Sequence, residues 1–252
     1  MPAPTWDDRL RVRQRPAGSP VMYQSWRELL FLHWDFPIDV VQATLPPELK
    51  VDSWDGRAWI GVVPFWMRGI RPRGCPAVPG ISNFLELNLR TYVHDDRGTP
   101  GVWFYSLDAN QRLAVWAARR FFHLNYQYAR MESHRDELTE WTDFRSMRQG
   151  AEPENECRFR YRPAGPTARA VPESFEFFLV ERYVLFARSP QGGLYSGTVV
   201  HEPYPITPVE FRQWSDALFP LQGFAQPNRP PVHAAMSRGV EVDVYGLMKH
   251  SV

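Results

Sequence analysis

Prolines are spread along this whole chain, 24 of them in 252 residues. Proline locks φ and has no backbone N–H, so it breaks helix interiors and central strands. At about 9.5% of the residues, against about 5% in an ordinary protein, it leaves no room for a bundle of long helices. A chain of this length can bury roughly 70–75% of its unfolded surface in one core. The remaining expectation is a mainly β domain with a few short helices, residues 21–252, behind an N-terminal arm, residues 1–20.

Charge and lysine content narrow the function. The 29 basic and 28 acidic residues leave a net charge of +1, so no overall field draws the chain to nucleic acid or to an anionic membrane. Only Lys50 and Lys249 are lysines; 29 less two leaves 27 arginines. Any mechanism that needs an amine has two candidates. The N-terminal text MPAPTWDDRLRVRQRPAG has no apolar core of a signal peptide. The longest uncharged apolar run, about residues 58–67, is too short to cross a membrane and holds Gly61 and Pro64. Cys75 and Cys157 are far apart with no CxxC, as expected of a cytoplasmic protein.

Arg9, Arg11, Arg13 and Arg15 alternate with Leu10, Val12 and Gln14, which suggests an edge strand or solvated tail, with a phosphate-binding arm as the sharper option. Strands are expected at residues 26–34, 58–65, 83–93, 101–107, 183–188, 194–201 and 239–245, with two or three more between Tyr126 and Tyr161. Pro37 opens a short helix that Pro46–Pro47 ends. Asp108 is placed to cap a helix whose Leu113, Ala117 and Phe121 share a face. A second short helix is expected at Ser174 to Glu181. Thr207-Pro208-Val209-Glu210 reads as a capping box with proline at the first helical position.

No Gly-rich phosphate loop, G-x-S-x-G elbow, or closely spaced His or Cys set is present, and no metal or cofactor is expected. His94-Asp95-Asp96 reads as a solvated turn. The positive signal is in Phe84-Leu-Glu-Leu-Asn-Leu-Arg90. Side chains alternate across a strand, so Glu86, Asn88 and Arg90 share one face at steps of about 6.5–7 Å. On an open sheet this is a solvent face; in a barrel it lines the interior and makes a binding site. Periodicity does not choose between them. Glu181-Arg182, read as strand neighbours on opposite faces, are expected to be structural ion partners of other elements.

The runs WRELLFLHWDFPIDVVQATLPPELKVDSWDGRAWIGVVPFWM, FLELNLRTYV, GVWFYSLDA, FFLVERYVLFA and SRGVEVDVYGL resemble the YqjF-like family of uncharacterised bacterial proteins, from about Met22 to Leu247. That family looks like a distant branch of the acetoacetate decarboxylase superfamily. The resemblance implies a closed, cone-like β-barrel with a site in its cavity. It places an active-site arginine at Arg27 and an active-site glutamate at Glu86. The superfamily's Pro-Lys-Lys triplet is replaced by Asn125, Tyr126 and Gln127, so the lysine that would form a Schiff base is missing. The implied function is binding of a small, anionic carboxylate or carbonyl metabolite without Schiff-base decarboxylation. Glu86 and Tyr126 are the candidate catalytic groups; Arg27, Asn88, Arg90, Asn125 and His123 are the candidate ligand contacts. A lyase or hydratase acting through Glu86 is the alternative, and an interaction module built on the arginine arm is a third reading.

Overall fold

The computed structural model describes residues 2–250. The strands are β1 (Met22–Phe36), β2 (Lys50–Val51), β3 (Ala58–Pro72), β4 (Phe84–His94), β5 (Pro100–Ala109), β6 (Tyr126–Arg135), β7 (Thr142–Arg148), β8 (Cys157–Pro163), β9 (Ala168–Arg169), β10 (Val184–Arg188), β11 (Leu194–Val200), β12 (Pro205–Gln213), β13 (His233–Val244) and β14 (Met248–Lys249). The helices are α1 (Trp6–Arg11), α2 (Ile38–Gln42), α3 (Arg112–Phe122) and α4 (Phe175–Val180). The chain is mainly β, with the few short helices its prolines allow.

The strands form one sheet whose hydrogen bonds close on themselves. One ring runs β4–β5–β10–β11–β13–β1–β3 and back to β4. A second leaves β5 through β6, β7, β8 and β12 and rejoins at β13. The shared strands therefore have a core on each face. On β4, Phe84 and Tyr92 pack into one core, and Leu87 and Leu89 into the other. A strand buried on both faces reads as a continuous apolar run, which is why residues 58–65 show no polar alternation.

Two irregularities re-aim β1. Glu28 takes a positive φ of 51°, and the pairing with β3 shifts register between Arg27↔Trp66 and Leu32↔Val62, while that with β13 continues unbroken, Arg27 opposite Gly239. An extra residue in one strand swaps which side chains face the core. Before it, Met22, Gln24 and Trp26 point inward; after it, Leu29 and Phe31 do. The partner Gly239 sits at φ +133°, where a Cβ would lie 2.1 Å from the Trp26 carbonyl oxygen. Gly239→Ala is expected to cost roughly 1–3 kcal/mol from backbone strain alone, read as a lower urea midpoint; an unchanged midpoint would mean the bulge is not pinned there.

Several local expectations give way to tertiary structure. Residues 6–11 are a helix, not a strand or free tail: Thr5 accepts from the Asp8 N–H and the Asp8 carboxylate accepts from the Thr5 N–H. Trp6 packs edge-on against Trp54 and Phe177, and Arg9 is buried. Thr207–Glu210 does not start a helix but lies within β12, bonded to β13 and β8. Gln111 caps α3, accepting from Leu113 N–H. Asp108 instead lies buried on β5, paired with Arg148 at 2.8 Å. Of Leu113, Ala117 and Phe121, expected on one face of α3, Ala117 lines the interior cavity while Leu113 and Phe121 are exposed. Asp95 is buried too, accepting from the N–H groups of Arg97 and Thr99. Both cysteines are free thiols. No helix among the described residues is long and apolar enough to cross a membrane.

Candidate functional site

The first ring encloses a cavity of about 170 Å³, covered by α3 through Ala114, Ala117, Ala118 and Phe122. The inner face of β4 contributes its polar row. Glu86 is 3%, Asn88 4% and Arg90 8% exposed, so this face is interior rather than solvent-facing. Glu86 and Arg90 line the cavity, as do Tyr126, Arg182 and Tyr204.

Glu86 and Tyr126 form one unit. The Tyr126 hydroxyl donates to Glu86 Oε2 at 2.7 Å. Burial pushes the Glu86 carboxyl up to about 7, against the opposing pull of hydrogen bonds from Tyr126 and Asn88, with nearby Asp108 pushing the same way as burial. Burial beside Glu86 also drives the Tyr126 phenol well above its ordinary value. A carboxyl that titrates near neutrality inside a cavity can hold or pass a proton.

The other polar end is cationic. Arg182 donates to Asp52 at 2.7 Å, and Arg9 donates to the same carboxylate in a fork at 2.6 and 2.7 Å. Burial lowers the Arg182 guanidinium to about 10 despite Asp52. Arg90 has no carboxylate partner; it lies over the rings of Phe31 and Tyr92, and Arg182 lies over the other side group of the same cluster, Phe178, and over Tyr92. Arg9 and Arg182 thus share one carboxylate, and Arg90 pairs with none among the described residues. Two buried donors, Arg90 Nε and Arg182 Nη2, have no hydrogen-bond partner, and neither has the Asn88 Oδ1 acceptor. Buried His33, hydrogen-bonded to Tyr92 at 2.6 Å, is held well below its ordinary value by burial and then by His233, Arg90 and Arg182, as a positive field requires.

Of the residues singled out in the sequence, Glu86, Tyr126, Asn88 and Arg90 are brought together. Arg27 is not. It stands one residue before the Glu28 irregularity, on the outward phase of β1, where it pairs with Glu241 and donates to the Val240 carbonyl at 3.0 Å. Asn125 and His123 lie in an outer crevice beside Pro46 and Pro47. Asn125 donates to the Tyr105 carbonyl at 2.6 Å, and His123 ends α3 in the left-handed conformation. Arg182 and Tyr204 were missed as cavity groups. Arg182 does pair with an acid, but Glu181 pairs with no base among the described residues: it accepts from the Tyr183 hydroxyl and, at 3.0 Å, from the Tyr204 N–H. Neither lysine lines the cavity; Lys50 is on β2 and Lys249 on β14. Among the described residues no group of three or more His, Cys, Asp or Glu is gathered to hold a metal.

A ring of strands around a polar-ended cavity is the acetoacetate decarboxylase-like fold. The chain superposes on MppR, an enduracididine biosynthesis enzyme complexed with pyruvate, with a TM-score of 0.66 at 13% identity, covering 93% of this chain and 91% of that one. It superposes on acetoacetate decarboxylase from Legionella pneumophila with a TM-score of 0.63 at 12% identity, covering 100% and 92%. These likenesses define the fold. The sequence defines the family: the model for DUF2071, an uncharacterized conserved protein, matches residues 23–241, and the chain belongs to that family. It is 36% identical over 228 residues to the uncharacterized protein YqjF of Bacillus subtilis, covering 89% of this chain and 91% of that one.

Proposed function

We propose that the cavity binds a small carboxylate-bearing carbonyl metabolite, with Arg90 and Arg182 taking the carboxylate and the Glu86–Tyr126 pair facing the carbonyl. The observation that carries this reading is the pair of buried, unpartnered guanidinium nitrogens, Arg90 Nε and Arg182 Nη2, on two residues that line the cavity, where Arg182 shares Asp52 with Arg9 and Arg90 has no carboxylate partner. A buried donor left without a partner costs about 1–3 kcal/mol, and an anionic ligand would remove that cost. Guanidinium is the group suited to forked recognition of a carboxylate. With no lysine among the described residues lining the cavity, the reading involves no lysine Schiff base. The pyruvate complex of the structurally similar MppR agrees with a ligand of this class.

The raised Glu86 carboxyl favours a second reading, a lyase or hydratase in which Glu86 is general acid or base and Tyr126 steadies its charged form. Turnover lost in Glu86→Gln with binding kept would select it.

The first test is thermal shift with pyruvate, acetoacetate and unsubstituted short carboxylates, on the wild type and on Arg90→Met. A ligand of the folded state raises Tm with concentration. The expected result is a dose-dependent rise in the wild type, abolished in Arg90→Met. The variant itself should be as stable as the wild type or more so, because Arg90 breaks no ion pair when removed. A shift that survives in Arg90→Met overturns the proposal, as does no shift with any of the compounds.

A further inference from the structure

Resting on that reading, we infer that the ligand carries an apolar tail of a few carbons beyond its carbonyl, and that Phe84, Met67 and Trp26 set its length. The strand register orders the cavity. Along the inner face of β4 come Arg90, then Glu86, then Phe84, with two to four residues between levels, so the levels stand about 7–14 Å apart. Phe84 pairs with Met67 on β3, and Met67 with Trp26 on β1. Ile70 and Met22 extend the same wall. Glu86, Arg90 and Arg182 are the charged residues lining the cavity, and all lie at or beyond the Glu86 level, away from Phe84.

The polar groups near the Phe84 end, Gln24 and the Trp26 indole, are uncharged and bonded to one another. The Trp26 indole N–H donates to Gln24 Oε1 at 2.8 Å, and the Gln24 amide donates to the Met22 sulfur at 3.8 Å. A second carboxylate delivered there would be desolvated with no cation to pair with, which is costly. An alkyl group would only leave water. The cavity, at about 170 Å³, is below the roughly 300–1,000 Å³ of pockets for drug-sized ligands, so the tail is short.

The test is calorimetric titration of the full chain with pyruvate, 2-oxobutanoate, 2-oxopentanoate and 2-oxohexanoate, with 2-oxoglutarate and 2-hexanone as controls. Each added methylene should tighten binding roughly fourfold, the value of burying one CH2 group, and 2-oxoglutarate should bind at least tenfold more weakly than 2-oxopentanoate. Phe84→Leu should shift the preferred length upward by one or two carbons. If pyruvate binds as tightly as the longer acids, or 2-oxoglutarate as tightly as 2-oxopentanoate, the tail is overturned and the carboxylate reading stands. If 2-hexanone binds as well as 2-oxohexanoate, the carboxylate reading fails and the tail stands. If none of the compounds binds, both are overturned.

Discussion

Asp52→Ala is expected to lose about 3–5 kcal/mol of stability, the cost of removing one partner from a buried ion pair. Asp52 is the carboxylate shared by Arg9 and Arg182, and all three side chains are nearly inaccessible, at 3%, 8% and 3%. Burial alone would raise the Asp52 carboxyl, but Arg182 and Arg9 outweigh it and hold it below its ordinary value. Without it, the Arg9 and Arg182 guanidiniums remain buried and repel each other. Arg9→Met is the contrasting change. It leaves Asp52 and Arg182 as a balanced pair and keeps a long apolar stem against Trp6 and Phe178, over which Arg9 now lies. Its cost should be well under half that of Asp52→Ala. Urea unfolding of both variants checks the order; equal losses would mean the triad acts by packing rather than charge. Because the triad fixes Arg182, the N-terminal helix is tied to one wall of the cavity.

That helix shows what sequence reading can and cannot reach. Thr5 and Asp8 carry a capping signal in plain text, while the arginine alternation beside them suggested a strand. Thr207 to Glu210 carries a similar signal and forms β12, since β-branched Ile206, Thr207 and Val209 suit a strand held from both sides. Local capping text therefore does not decide the element; the available neighbours do. The β4 row was legible because alternation is local, but alternation does not say which side faces the cavity; the closed ring of strands turns the row inward. Arg27 lies outside the cavity because the irregularity at Glu28, a register shift against β3, reverses the phase of β1. Spacing from a family motif does not record on which side of a bulge a residue falls. Arg182 had a usable signal: a charge directly after the buried run Phe177–Val180 must find a partner or a ligand. Its partner is 130 residues away, which no local pattern can show.

Glu86→Gln is expected to stabilise the fold above neutral pH, by up to about 3 kcal/mol. The folded state raises the carboxyl from its ordinary 4.5 to about 7, chiefly by burial. Below 4.5 the group is protonated in both states and charge plays no part. Between 4.5 and 7 the unfolded chain has released the proton and the folded chain still holds it, so stability falls as pH rises. Above 7 the folded state bears the whole penalty, about 2.5 pH units at about 1.4 kcal/mol each. Glutamine keeps the oxygen that accepts from Tyr126 and adds no charge, so the variant escapes that loss. Wild type and variant should unfold alike at pH 4.5 and diverge steadily up to about pH 7.5, the variant being the more stable. Urea midpoints across that range, at constant ionic strength, check it. Curves that stay parallel would show that Glu86 ionises in the folded protein as it does in water, and would remove the basis for a proton-transferring role. A variant that gains stability and loses turnover would place Glu86 among groups held in a costly state for their chemistry. A gain in stability with ligand binding unchanged and no turnover in either protein would leave the cavity a binding site whose carboxyl serves as a neutral hydrogen-bonding partner to the ligand's carbonyl.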